Sequence, residues 1–178
     1  LCDAARDGAR VVNMSVQIPA ASMPVGGTLY TLLKEAVDFA EARNVLLVAA
    51  GGNNRNTHEV YYPALFEEVI AIGALTIDNE PAYYTPIGAK VELVAPGGDN
   101  KVPVLSTWPS SAGVRENCTD AGNSLIQSGG GFFCGQHGTS MASPYVVGAA
   151  ALVLSLQPSL TAPQVRALLA ETASDVGL

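Results

Sequence analysis

Apolar positions between Thr28 and Arg43 fall at Leu29, Leu32, Leu33, Ala36, Val37 and Ala40. Offsets of three and four place them on one face of a helix. Around that helix the pattern changes. Arg10 to Val16 reads as a strand with a continuous apolar start, Val45 to Ala50 and Val69 to Ala74 are apolar throughout, and Val91 to Val94 is a further short run. Strands apolar on both faces, alternating with a helix, predict a parallel sheet covered on both sides and hence an α/β fold. From Pro96 to Gln136 the pattern lapses into Gly, Ser, Asn and Pro around Gly129-Gly130-Gly131, which predicts loop. It returns as a nearly all-apolar helix, Thr139 to Leu156, followed by a second helix, Thr161 to Thr172. The second opens with Thr161-Ala162-Pro163-Gln164, the form of a capping box with Pro in the first turn. No internal repeat or linker interrupts this order, so residues 1–178 read as one domain.

Composition narrows the class. The chain is 48% apolar and 14% charged, the balance of an ordered globular protein. A net charge of −7 offers no basic stripe, so nucleic acid is not expected as a partner. The longest apolar run, Ala142 to Leu156, is broken by Ser143, Pro144 and Ser155 and falls short of the roughly 20 residues of a membrane span. It is expected to be a buried core helix, with no membrane partner. Asp3, Arg6, Asp7 and Arg10 exclude a signal peptide within the first ten residues, and position 1 is not Met, so the chain is expected to begin inside a longer one. Cys118 and Cys134 flank a polar, Gly-rich stretch; a disulfide between them would suit a secreted protein, and free thiols of an intracellular one are the alternative. Cys2 has no evident mate.

Two segments could carry chemistry. In Gly138-Thr139-Ser140-Met141-Ala142-Ser143-Pro144 a serine stands at the mouth of an apolar helix, near unpaired N–H groups and the positive end of the helix dipole. Such a place can hold the oxyanion formed when a hydroxyl attacks a carbonyl. Thr139 is a natural N-cap, and Pro144 is expected in the first turn, where no N–H is needed. The bland alternative, that Ser140 only helps to cap the helix, is the commoner meaning of a Gly-Thr-Ser tripeptide alone. In Val48-Ala49-Ala50-Gly51-Gly52-Asn53-Asn54 a buried strand runs into two glycines and an amide, as at the carboxyl end of a parallel sheet. Asn53 could donate to developing negative charge, or could be an ordinary turn residue.

Gly138 to Pro144, with the alanine-rich helix that follows, resembles the nucleophile motif of the subtilisin-like serine peptidases (subtilases). Val11-Val12-Asn13-Met14-Ser15 resembles that family's substrate-cleft strand, and Val48 to Asn53 its strand and loop ending in the oxyanion-hole Asn. Tyr62-Pro63-Ala64, Val69 to Ala74, Leu93-Val94-Ala95-Pro96-Gly97 and Leu105-Ser106-Thr107 are similar to the segments that follow, in order, from about Asp7 to Gly177. The resemblance implies the C-terminal part of a parallel-sheet, subtilisin-like catalytic domain. It implies Ser140 as nucleophile, and Asn53 with the Ser140 N–H as oxyanion donors. It also implies Ser15, Val16 and Gln17 pairing with a polypeptide substrate, and Ala50, Gly51 and Gly52 along the primary pocket. Pro63 falls where a cis-proline is frequent, and Tyr61 near the pocket floor, where a ring either shortens the pocket or points away. The implied enzyme is a secreted endopeptidase that needs no cofactor, and no metal is assigned.

Departures from the family pattern shape the expectation. The Asp and His motifs that activate the nucleophile would belong N-terminal to Leu1, so the chain is expected to need the other half of its domain and to be inactive alone. Of the two histidines, His137 lies too close to Ser140 in sequence to serve as its base, and His58 reads as a surface residue. Gln17 and Ile18 replace two glycines, Tyr145 replaces a frequent His, and the Cys118–Cys134 insertion is long. The chain also stops soon after the last helix, so both ends look cut. A non-catalytic pseudopeptidase, or a subunit completing its site with another chain, is the alternative. An unrelated α/β hydrolase is excluded, because Ala142 stands where that fold needs Gly and no His follows Ser140.

Overall fold

The computed structural model describes residues 1–54, 59–109, 118 and 125–176. The helix α1 (Cys2–Arg6) leads into the strand β1 (Val11–Met14), a 3-10 turn (Ala20–Ser22), the helix α2 (Thr28–Glu41), and the strands β2 (Leu46–Ala50), β3 (Val69–Leu75) and β4 (Val91–Pro96). These four strands form one parallel sheet in the order β1-β2-β3-β4. Every residue of β2 and β3 is buried. The two faces separate by alternation: Leu47, Ala49, Val69 and Ala71 pack with Val37 and Ala40 of α2, while Leu46, Val48, Ile70, Ile72 and Ala74 face the other way. That second face is covered by the helix α3 (Thr139–Leu156) and by Val165 of the helix α4 (Ala162–Thr172). Burying each such Val, Leu or Ile contributes about 1.5–3 kcal/mol, so the continuous apolar runs are what fix the layered order.

Two expectations about elements are corrected. Residues 96–136 are not all loop. The strands β5 (Val104–Trp108), β6 (Leu125–Ser128) and β7 (Gly131–Gln136) form an antiparallel sheet in the order β5-β7-β6. Gly129 and Gly130, both at positive φ (59° and 81°), make the two-residue turn between β6 and β7. Cys118 and Cys134 are disulfide-bonded, tying the chain beyond β5 to β7.

Nor is α3 a fully buried core helix. Its 18 residues are long and apolar enough to cross a membrane, yet a stripe of Thr139, Ala142, Ser143, Val146 and Ala150 is buried against the sheet, touching all four strands. A second apolar stripe is open, with Tyr145 50%, Leu152 69% and Leu156 82% exposed. The capping box of α4 forms as the sequence predicts: Thr161 Oγ1 accepts from the Gln164 N–H, and Gln164 Oε1 accepts from the Thr161 N–H. Asn44, at φ 61°, ends the turn after α2 and accepts from the Ala162 N–H, so the two ends of the fold meet there.

Candidate active site

The mouth of α3 is built from backbone first. Gly138, at φ 147°, occupies the N-cap, and a Cβ there would approach Asn53 Nδ2 to 3.1 Å. Glycine is what this position admits. Thr139 is therefore the first helical residue and not the cap. Its hydroxyl faces inward, fully buried, against Gln17 Nε2 (3.1 Å), the Gly52 N–H (3.2 Å), the Gly52 carbonyl (3.2 Å) and Asn53 Oδ1 (3.0 Å).

Pro144 is likewise not in the first turn. It lies inside α3, where it lacks the N–H that would bond to the Ser140 carbonyl four residues earlier. Ser15 Oγ donates to that carbonyl instead (2.8 Å), lies 3.1 Å from Ser143 Oγ, and accepts from Asn13 Nδ2 (2.9 Å). A proline inside the helix and a serine on the neighbouring strand end thus solve one problem together.

The N–H groups at the helix start can be followed one by one. The Gly138 N–H goes to the Gly97 carbonyl (2.9 Å), the Thr139 N–H to Asn53 Oδ1 (2.9 Å), and the Met141 N–H to the Gly138 carbonyl (2.9 Å). The Ser140 N–H is left without an acceptor among the described residues. Asn53 Oδ1 is held by two donors from Thr139, so the amide nitrogen, not the oxygen, is the exposed end. One backbone donor and one side-chain donor therefore remain at the positive end of an 18-residue helix, an arrangement that can hold an anion. Ser140 Oγ makes a long contact of 3.4 Å to the Ser15 carbonyl and no other hydrogen bond among the described residues.

Of the residues singled out in the sequence, Gln17, Gly52 and Asn53 come together through Thr139, and Ser15 joins them through the Ser140 carbonyl. Ala50 and Gly51 are buried behind them, and the Gly51 carbonyl accepts from the Tyr61 N–H (2.8 Å). Val16 is 57% exposed on the outer edge. Tyr62-Pro63 is a cis peptide bond. His137 Nε2 lies 3.2 Å from the Tyr83 hydroxyl and does not reach Ser140, while His58 lies outside the described residues. The sequence left Tyr84 unremarked and gave Gly97 no role of its own. The Tyr84 hydroxyl is buried and donates to the carbonyls of Gly97 (2.8 Å) and Gly98 (2.7 Å), and Gly97 in turn holds Gly138. Burial pushes the Tyr84 phenol well above its ordinary pKa, so it stays a donor. Nearby, Asp99 is held below the usual carboxylate range by the N–H groups of Val102 and Lys101. Away from this site, Asp38, Glu41 and Glu68 cluster, but Lys34 Nζ is already bonded to Asp38 and Glu68. A cavity of about 520 Å³ between β4 and residues 170–176 shares no residue with the site.

The family model for the subtilases matches residues 1–178. The chain is 38% identical over 177 residues to subtilisin DY of Bacillus licheniformis, covering 98% of this chain and 53% of that protein. Subtilisin BL of Lederbergia lenta is 34% identical over 174 residues, covering 98% of this chain and 52% of that one. Among solved structures, a lanthipeptide protease superposes with a TM-score of 0.75 at 25% identity, over 99% of this chain and 57% of its own. The PatG macrocyclase in complex with peptide gives 0.72 at 26%, over 97% and 46%. The chain spans about half the length of the curated relatives it matches. With a match from end to end and the parallel-sheet fold in common, this chain belongs to the subtilase family.

Proposed function

We propose that these residues are the nucleophile-bearing part of a serine endopeptidase. The observation that carries the reading is the sorting of donors at the mouth of α3: Thr139 takes Asn53 Oδ1, leaving Asn53 Nδ2 and the Ser140 N–H for charge developing on a substrate carbonyl oxygen. Ser140 Oγ, giving its proton to a base, attacks the carbonyl of a peptide bond; the C–N bond breaks, the amine leaves with that proton, and water hydrolyses the acyl-enzyme to release the acid and restore Ser140. Ser15, Val16 and Gln17 offer an extended edge to the substrate chain, and Ala50 to Gly52 line the pocket beside it.

A base is required, and among the described residues no imidazole reaches Ser140. The His, and the Asp that orients it, come from a complementary polypeptide portion. Two surfaces support such a portion. The outer edge of β1 has no strand partner among the described residues, and the second stripe of α3 is apolar and open. The Cys118–Cys134 bond supports an oxidising, extracellular setting.

The test is to assay this chain alone, and together with the portion carrying the Asp and His motifs, using a fluorophosphonate probe and a peptide substrate. The expected result is no turnover alone, turnover together, and loss of both labelling and cleavage in Ser140→Ala. Asn53→Ala should label but lower kcat by about 10²–10³; that magnitude is subtilisin's own. Cleavage that survives Ser140→Ala would overturn the reading. Should the complementary portion bind without any cleavage, the chain is a non-catalytic subunit.

A further inference from the structure

Beside Ser140 two walls can be named from hydrogen bonds alone. One wall is the segment 15–18, fixed to the helix mouth through Ser15 Oγ and the Ser140 carbonyl (2.8 Å). The other is 50–53, fixed to it through Gly52, Asn53 and Thr139. The floor is Tyr61-Tyr62, which bridges both walls. The Tyr61 N–H donates to the Gly51 carbonyl (2.8 Å), while Tyr62 and Ile18 exchange two backbone hydrogen bonds (2.9 and 3.0 Å).

Two side chains fill this space. Gln17 leaves the first wall and reaches Thr139 at the second, its Nε2 3.1 Å from Thr139 Oγ1. Tyr61 lies on the floor, with ring atoms 3.5 Å from where a Cβ on Gly52 would stand. Its hydroxyl accepts from Asn54 Nδ2 (3.0 Å), which holds the ring in place. The space a Cβ on Gly52 would occupy is thus bounded by a ring, and the carboxamide of Gln17 lies between the walls. A bulky side chain entering here would have to displace both, losing the Gln17–Thr139 bond without replacing it.

We infer that Gln17 and Tyr61 restrict this site to peptides carrying glycine, alanine or serine on the acyl side of the bond attacked by Ser140. The inference rests on the peptidase reading and adds to it the class of substrate. A methyl or hydroxymethyl group fits beside Gln17, and a small hydroxyl can share its carboxamide. Leu and Phe are refused by shape, a discrimination of about 10–200-fold for modest changes in apolar bulk.

The experiment compares kcat/KM for matched peptide anilides ending in Ala or Phe, using the chain assembled with the portion that supplies its His and Asp. The unmodified protein should favour Ala at least about tenfold. Gln17→Gly with Tyr61→Ala should raise Phe cleavage and reverse or abolish that preference, with each single change giving part of the effect. Folding of each variant is checked by its thermal transition, and Gln17→Gly alone suffices if Tyr61→Ala does not fold. Equal rates on Ala and Phe in the unmodified protein, or an unchanged ratio in the variants, would overturn the inference. Should no peptide be cleaved at all, the peptidase reading fails, and the space between the walls is judged by amide NMR shifts at Gly52 and Tyr61. There an acetylated peptide ending in Ala should perturb both residues and its Phe counterpart neither. Equal perturbation by the two refutes the inference.

Discussion

Thr139 is the residue on which the geometry of the site turns, because one buried hydroxyl meets groups from two separate segments. Thr139→Val keeps the shape and removes the oxygen. It strands the Gly52 N–H and loosens Asn53, so a loss of about 1–3 kcal/mol is expected in urea unfolding. In the assembled enzyme kcat should fall more than KM rises, because the amide nitrogen is no longer aimed by its partner oxygen. Asp99 gives a prediction in pH. Its carboxylate accepts from the Lys101 and Val102 N–H groups (both 2.7 Å), which lowers its pKa in the folded state. The stabilisation is therefore present above the unfolded-state value of about 3.9 and lost as pH falls through the folded one. Asp99→Asn should shallow the acid limb of a Tm-against-pH curve and leave the neutral and alkaline limbs parallel to the original. The sequence carried Ser140 and Asn53 as candidates, because helix-mouth serines and strand-end amides have a recognisable local form. It could not carry Thr139 as a hub, because its partners lie 86 to 122 positions away, nor Tyr84 as a brace, because a carbonyl 13 positions on has no local signature.

Among the elements, those whose hydrophobic period is strong were legible. Strands β2 and β3 needed only their unbroken apolar runs, α2 its three-and-four spacing, and α4 its capping box. The strands β5, β6 and β7 were not read, because each is short and much of β5 and β6 is exposed, so neither alternation nor a full apolar run marks them. The one available signal was Gly129-Gly130 between Ser128 and Gly131, a two-residue hairpin turn. The span of α3 was read as it stands, but its cap was assigned to Thr139 because threonine is the better cap by preference, while the close approach of Asn53 admits only glycine at the N-cap, Gly138. The small sheet also carries a stability prediction. The bond between Cys118 and Cys134, separated by 16 residues, removes loop entropy from the unfolded chain worth about 3 kcal/mol. The double substitution Cys118→Ser with Cys134→Ser should lower stability by about that much, read from denaturant midpoints. An unchanged midpoint would mean that the sheet holds without its staple.

At the scale of the molecule, α3 is an element with one buried face, against the parallel sheet and α4, and one open face. Its buried stripe holds the parallel sheet, while Tyr145, Leu152 and Leu156 lie open to solvent, Tyr145 on the side of β4. Apolar surface of this kind invites non-specific association. The chain alone should therefore bind a hydrophobic dye strongly and aggregate on concentration. The complementary portion should quench the dye signal in proportion to complex formed, and Leu152→Glu should weaken that complex while sparing the fold of the sheet. Dye binding unaffected by the complementary portion would place its docking surface elsewhere.

The contact between Ser15 and Ser140 spans 125 positions of chain. Contacts of such separation form late, since the loops between them must close first and parallel strands pair only after their crossovers exist. Until then the hydroxyl of Ser140 belongs to an ordinary exposed serine, with no aimed donors around it. On the peptidase reading proposed above, timing becomes a safeguard: a ribosome-bound or half-folded chain would carry Ser140 as an inert passenger, and reactivity would arrive only with the finished, assembled architecture.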